Sequence, residues 1–135
     1  FEGKTQITWE EAADLPLCLL DQSMYERQVI DNAFHRVNKR PKPRVIASES
    51  IFNLIFHVMH AGSVTIIPHH FMRTLGNFPG VKALDLVDPV ISQQVGLFWS
   101  PTEPVMPMAN VMISIVKQFR KSGELENWLG QLAIT

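Results

Sequence analysis

Short unbroken apolar stretches alternate along the chain with longer segments whose apolar residues recur every three or four positions, and this alternation constrains the fold most. Residues 16–20 read as a fully buried strand. Residues 44–47 and 63–67 repeat the pattern, the latter β-branched and closed by Pro68. Between them run helical segments. Thr8 with Glu11 makes a capping box for a short helix reaching about Asp14, and Ser23 with Glu26 makes a second. That second box opens a helix with Tyr25, Val29, Ile30, Ala33, Phe34 and Val37 at helical spacing, stopped by Asn38 and the Pro41/Pro43 pair. Ser48 and Glu49 start a third helix over residues 50–61, apolar around most of its circumference and therefore expected to be buried on more than one side. Gly62 ends it. A short helix to Leu75, strands over 81–87 and 93–99, and an amphipathic helix over 104–119 with Val111, Met112, Ile115, Val116 and Phe119 inward complete the pattern. The order predicts an α/β fold, a mostly parallel sheet flanked by helices.

The chain has 135 residues, enough for one domain with a sizeable core. Its formal net charge of −1 supplies no global field for gripping nucleic acid. The lone Cys18 excludes an internal disulfide and a thiol-ligated zinc site. Charges, histidines or prolines interrupt every apolar run before it reaches the length of a membrane span, so no membrane partner is expected. The start at Phe1, with no basic-then-apolar signal pattern, reads as a piece of something longer.

Right-handed crossovers bring the strand C-termini and helix N-termini to one edge, where unpaired N–H groups hold anions. Asp21 and Gln22, then Ser48, Glu49 and Ser50, then His69 fall on that edge. They are the candidate ligand-binding residues, and a small carboxylate is the ligand that suits them. Capping alone competes for the serines. It is the better reading for Ser23 and an equal one for Ser48 and Ser50. A surface-loop role competes equally for His69 and His70. His57 and His60 share a helix face three residues apart but lack further ligands, so no metal site is assigned. Cys18 lies mid-strand and reads as buried and inert. The basic cluster at residues 39–44 reads as a solvated loop set by its prolines. No nucleophile elbow, P-loop or dinucleotide fingerprint occurs, no cofactor is expected, and the chain does not read as an enzyme.

The order of residues also carries a resemblance. Residues 7–17, with Ile7, Thr8-Trp9-Glu10-Glu11 and then Pro16-Leu17, resemble the lead-in to the second lobe of LysR-type transcriptional regulators. Arg27 with Ile30-Asp31-Asn32-Ala33-Phe34 is similar to that family's next helix. Ser50-Ile51, His57-Val58, Ala61-Gly62 and Ile66-Ile67-Pro68 are similar to the signature that follows. Val95-Gly96-Leu97-Phe98 and Pro107-Met108-Ala109 look like its return strand and final helix. The chain departs from the family after Gly62, where Ser63-Val64 stands in place of a second glycine.

The resemblance implies one lobe of a periplasmic-binding-protein-like (type 2) fold. Residues 1–92 would form the second lobe, and 93–135 the strand and helices that normally return to the first. It implies a cytoplasmic effector sensor binding a small, anionic metabolite, with Ser50 at the family's ligand-contacting helix start. DNA would be a partner only through a helix-turn-helix outside this chain, and the whole would be a homo-oligomer. With its own lobe absent, the C-terminal helix is expected to be buried unusually against the second lobe or exchanged with a second copy. The alternative is a lobe of an exported solute-binding protein feeding a transporter, and an α/β enzyme domain is weaker still.

Overall fold

The computed structural model describes residues 3–41, 46–76, 78–92, 98 and 107–123. Its elements in chain order are β1 (Gln6–Thr8), α1 (Trp9–Ala12), β2 (Leu19–Leu20), α2 (Tyr25–Arg36), β3 (Ala47–Ser48), α3 (Ile51–Ala61), α4 (His69–Leu75), β4 (Asp85–Val87) and α5 (Pro107–Ser122). Every strand pairing among the described residues is parallel. β1 pairs with β4, β2 pairs with β3, and Leu17 bridges to Val64. The α/β expectation holds, although the strands are shorter than the apolar runs that announced them. Residues 63–67 make one bridge, and only Asp85–Val87 of the run 81–87 is strand. The expected strand over 93–99, apart from Phe98, lies outside the described residues, as do residues 44–45 of the strand expected over 44–47 and 104–106 of the helix expected over 104–119.

The Thr8 capping box forms as read. The Thr8 hydroxyl accepts from the Glu11 N–H, and the Glu11 carboxylate accepts from the Thr8 N–H at 3.1 Å. It starts α1 on Trp9, which is fully buried. The Trp9 ring meets Phe34 edge-on with centroids 5.1 Å apart, and its Nε1–H donates to the Pro89 carbonyl at 2.8 Å. Leu17, Leu19, Ile30, Ala33, Ile66 and Leu86 close around this pair and form the main core. A smaller cluster of Cys18, Leu20 and Leu54 lies between β2 and α3.

Three expectations are corrected. The second capping box does not form, because the N-cap of α2 is Met24 and Ser23 instead donates its N–H to the Asp21 carboxylate at 2.9 Å. An aspartate two residues before an amide closes a tight turn of its own, which competes with the cap. α3 is not buried on several sides: Leu54 and Ile55 are buried, whereas Phe52, Phe56 and Met59 are exposed. The core presents only one layer to this helix, so only one stripe is covered. α5 has no buried residue, and Val111, Met112, Ile115 and Phe119 are 39–52% exposed. Its apolar stripe is therefore not buried against the second lobe in this structure, contrary to the first of the two fates expected for it.

Candidate functional site

β2 is the middle of three parallel segments, because alternate residues of its run bond to opposite sides. The Cys18 N–H donates to the Val64 carbonyl and the Val64 N–H to the Pro16 carbonyl. On the other side Leu19 N–H donates to Ile46 O, and Asp21 N–H to Ser48 O at 3.1 Å. Leu20 pairs with Ser48, so Asp21 stands beside Glu49. Counting forward from the Leu17–Val64 bridge brings Pro68 and His69 level with Asp21 and Gln22. The ends of β2 and β3 thus lie together at one edge, while the third segment pairs with the central one only at Leu17–Val64.

The serines divide their work there. Ser48 ends β3, and its hydroxyl accepts from the Ser50 N–H at 3.1 Å and from Asn53 Nδ2 at 3.3 Å. It ties the strand end to the first turn of α3. Ser50 is the N-cap of α3, half-buried, with no capping bond from its side chain. The first-turn N–H groups of α3 have no intrahelical acceptor, and the Ser50 hydroxyl caps none of them. Glu49 is exposed between the two serines, and Gln22 is exposed across from them. Asp21 is half-buried. The Ser23 N–H bonds to its carboxylate and holds its pKa below the usual carboxylate range. His69 starts α4 half-buried beside His70, whose Nδ1 is buried without a hydrogen-bond partner. Burial, and then the neighbouring His69, push the His70 pKa below the usual histidine value.

Beneath the edge lies a residue that site reasoning from the sequence passed over. Arg27 is 6% exposed, the one buried charged side chain among the described residues. Its Nη1 donates to the Leu20 carbonyl at 2.9 Å and its Nε to Asp31 Oδ1 at 2.9 Å. The guanidinium fixes the carbonyl at the end of the central strand, one residue before Asp21, and sets a positive charge under an edge that also holds two exposed or half-exposed carboxyls. The signal available was the Arg27–Asp31 spacing on a helix whose buried stripe, Ile30, Ala33 and Phe34, lies on the same side.

The family model described as the LysR substrate binding domain matches residues 1–121. The chain belongs to the LysR substrate-binding family. No curated protein and no solved structure matches it. A LysR substrate-binding domain is periplasmic-binding-protein-like, and the parallel strands and helices here are those of one such lobe. Among the described residues of this LysR domain, no group of three His, Cys, Asp or Glu could hold a metal ion, and no helix is long and apolar enough to cross a membrane. His60 instead packs against Phe56 with ring centroids 4.5 Å apart. Cys18 is buried, its thiol donates to the Leu54 carbonyl at 3.7 Å, and burial pushes its pKa up.

Proposed function

We propose that this chain is the effector-sensing part of a bacterial LysR-type regulator, that it binds a small anionic metabolite at the edge formed by Asp21, Gln22, Ser48, Glu49, Ser50 and His69, and that it is not an enzyme. The family match carries the sensor reading and favours it over a transporter's solute-binding lobe. What supports an anion is the N-terminus of α3, whose first-turn amides the Ser50 side chain does not cap. A carboxylate accepting from the Ser50 hydroxyl and the first-turn amides would bring negative charge to the positive end of the helix dipole. Asp21 and Glu49, at the rim, would disfavour a ligand whose charge is not directed at those donors.

In this reading the ligand sits between this lobe and a first lobe, and closure is passed to a helix-turn-helix outside this chain, in a cytoplasmic homo-oligomer. The exposed stripe of α5 supports a covering layer supplied by that first lobe or by a second copy. The test is a thermal-shift panel of small carboxylates and other anions on the protein with its native upstream sequence, with Ser50→Ala alongside. A ligand that binds the native state raises the melting temperature by mass action. A shift lost in Ser50→Ala supports the site as drawn. A shift that survives moves the site elsewhere, and no shift with any anion overturns the anionic reading.

A further inference from the structure

We propose a second small-molecule site, taking a neutral, mostly apolar molecule with one hydroxyl, in the cavity between the β1–β4 pair and residues 64–67. The cavity has a volume of about 340 Å³ and is walled by Ile7, Leu17, Val58, Val64, Met72 and Leu84, with Thr65 among its lining residues. None of Asp21, Gln22, Ser48, Glu49, Ser50 or His69 lines it. It is therefore separate from the proposed effector edge.

Size and chemistry select the occupant. A cavity of about 150 Å³ accommodates benzene, so this one suits roughly a dozen heavy atoms, a single small molecule and not a peptide segment. Its walls are largely branched aliphatic side chains, which favour an apolar body and give water few of the partners it needs. Three lining side chains, Ser63, Thr65 and Lys82, break this pattern, and the threonine hydroxyl is the buried one. Thr65 Oγ1 is buried and has no hydrogen-bond partner. The Thr65 hydroxyl lies near enough to the Cys18 sulfur to lower its pKa, against the larger upward push of burial, but it makes no hydrogen bond of good geometry there, and the thiol itself donates to the Leu54 carbonyl. An unmet buried hydroxyl in an apolar wall is a specificity element, because a ligand hydroxyl placed against it removes the desolvation penalty that an apolar ligand leaves standing. The occupant would touch the β1–β4 pair through Ile7 and Leu86 and the Leu17–Val64 bridge on the other side.

The probes are p-cresol and p-xylene, which differ in shape only by exchanging a hydroxyl for a methyl. Each is titrated into the protein while melting temperature and methyl NMR shifts are followed. Both should bind, with p-cresol tighter by roughly 3- to 10-fold, the span expected of one net hydrogen bond. Thr65→Val should erase that preference while p-xylene binding persists, and Val58→Phe should abolish both by filling the space. Ser50→Ala should alter neither titration. If Val58→Phe fails to fold, contacts between the bound ring protons and the Val58, Val64 and Ile66 methyls take its place. The proposal is overturned if neither probe shifts those methyls, if binding survives Val58→Phe, or if the preference for p-cresol survives in Thr65→Val.

Discussion

A guanidinium taken out of water must have its charge and its donors answered, and Arg27 meets both demands within one turn of α2 and the end of β2. Replacing it with Met leaves the Leu20 carbonyl without its donor and Asp31 without its partner. We expect Arg27→Met to lower stability by about 2–4 kcal/mol, less than for a fully buried pair because Asp31 stays partly in water. Arg27→Lys keeps the charge but cannot reach both acceptors with a planar fork, so its loss should fall between wild type and Met. Urea midpoints at unchanged slope measure this, and a Met variant as stable as wild type would remove Arg27 from the account. The titrating side chains add a pH signature. Glu11 is held below the usual carboxylate range by Lys4 and the Thr8 N–H, and Asp21 by the Ser23 N–H. For both, the unfolded chain takes up a proton first on acidification. Their contribution is present above the ordinary carboxylate range, near pH 4, and is lost as pH falls through the lower native values. His70 has the same sign one step higher, since its native pKa is also depressed. Its contribution starts to fall near pH 6.5 and is gone below the native value. Melting temperature followed from pH 8 to 3 should therefore decline in two stages, with the upper stage absent in His70→Gln and the lower one reduced in Glu11→Gln.

Within α3, two neighbouring positions should behave very differently. Leu54 is fully buried against Cys18 and Leu20, whereas Phe56 is 59% exposed. Leu54→Ala should cost about 2–5 kcal/mol, and Phe56→Ser should stay within about 0.5 kcal/mol, both read from denaturant unfolding. A large loss in Phe56→Ser would mean that α3 has a covering layer on its second face. The contrast also marks what could be read in advance. Apolar spacing located α1 to α4 and the paired ends of β2 and β3, because period and capping chemistry are local properties. It could not say that α3 has one buried face, since periodicity tells which residues could be covered and not whether a layer exists to cover them. Arg27 was hidden for the opposite reason: an arginine on an amphipathic helix usually lies on the solvated side. The capping serines were only half legible. Ser48 and Ser50 sit where expected, but Asp21 won the Ser23 amide that a capping box would have given to Glu26.

For the molecule as a whole, the outermost feature is the stripe Met108, Met112, Ile115 and Phe119 along α5, spaced four, three and four residues apart and 39–70% exposed. Charge placed there should not disturb the lobe. Ile115→Asp is expected to leave the melting temperature of the dilute, dissociated chain unchanged within about a degree. It should also shift light-scattering mass toward the monomer if association uses this face. A drop in intrinsic stability instead would show that α5 is part of the core. The other end of the chain tells a different story. β1 pairs in parallel with β4, Gln6 opposite Asp85 and Thr8 opposite Val87, and the Trp9 indole reaches the Pro89 carbonyl. Among the described residues Trp9 is the most buried aromatic, and its hydrogen-bond acceptor lies 80 residues further along the chain. Until the ribosome has released residues 85–89, β1 has no partner strand and Trp9 no acceptor for its N–H. Over that interval the nascent chain exposes a tryptophan destined for the core, the kind of surface that holding chaperones bind.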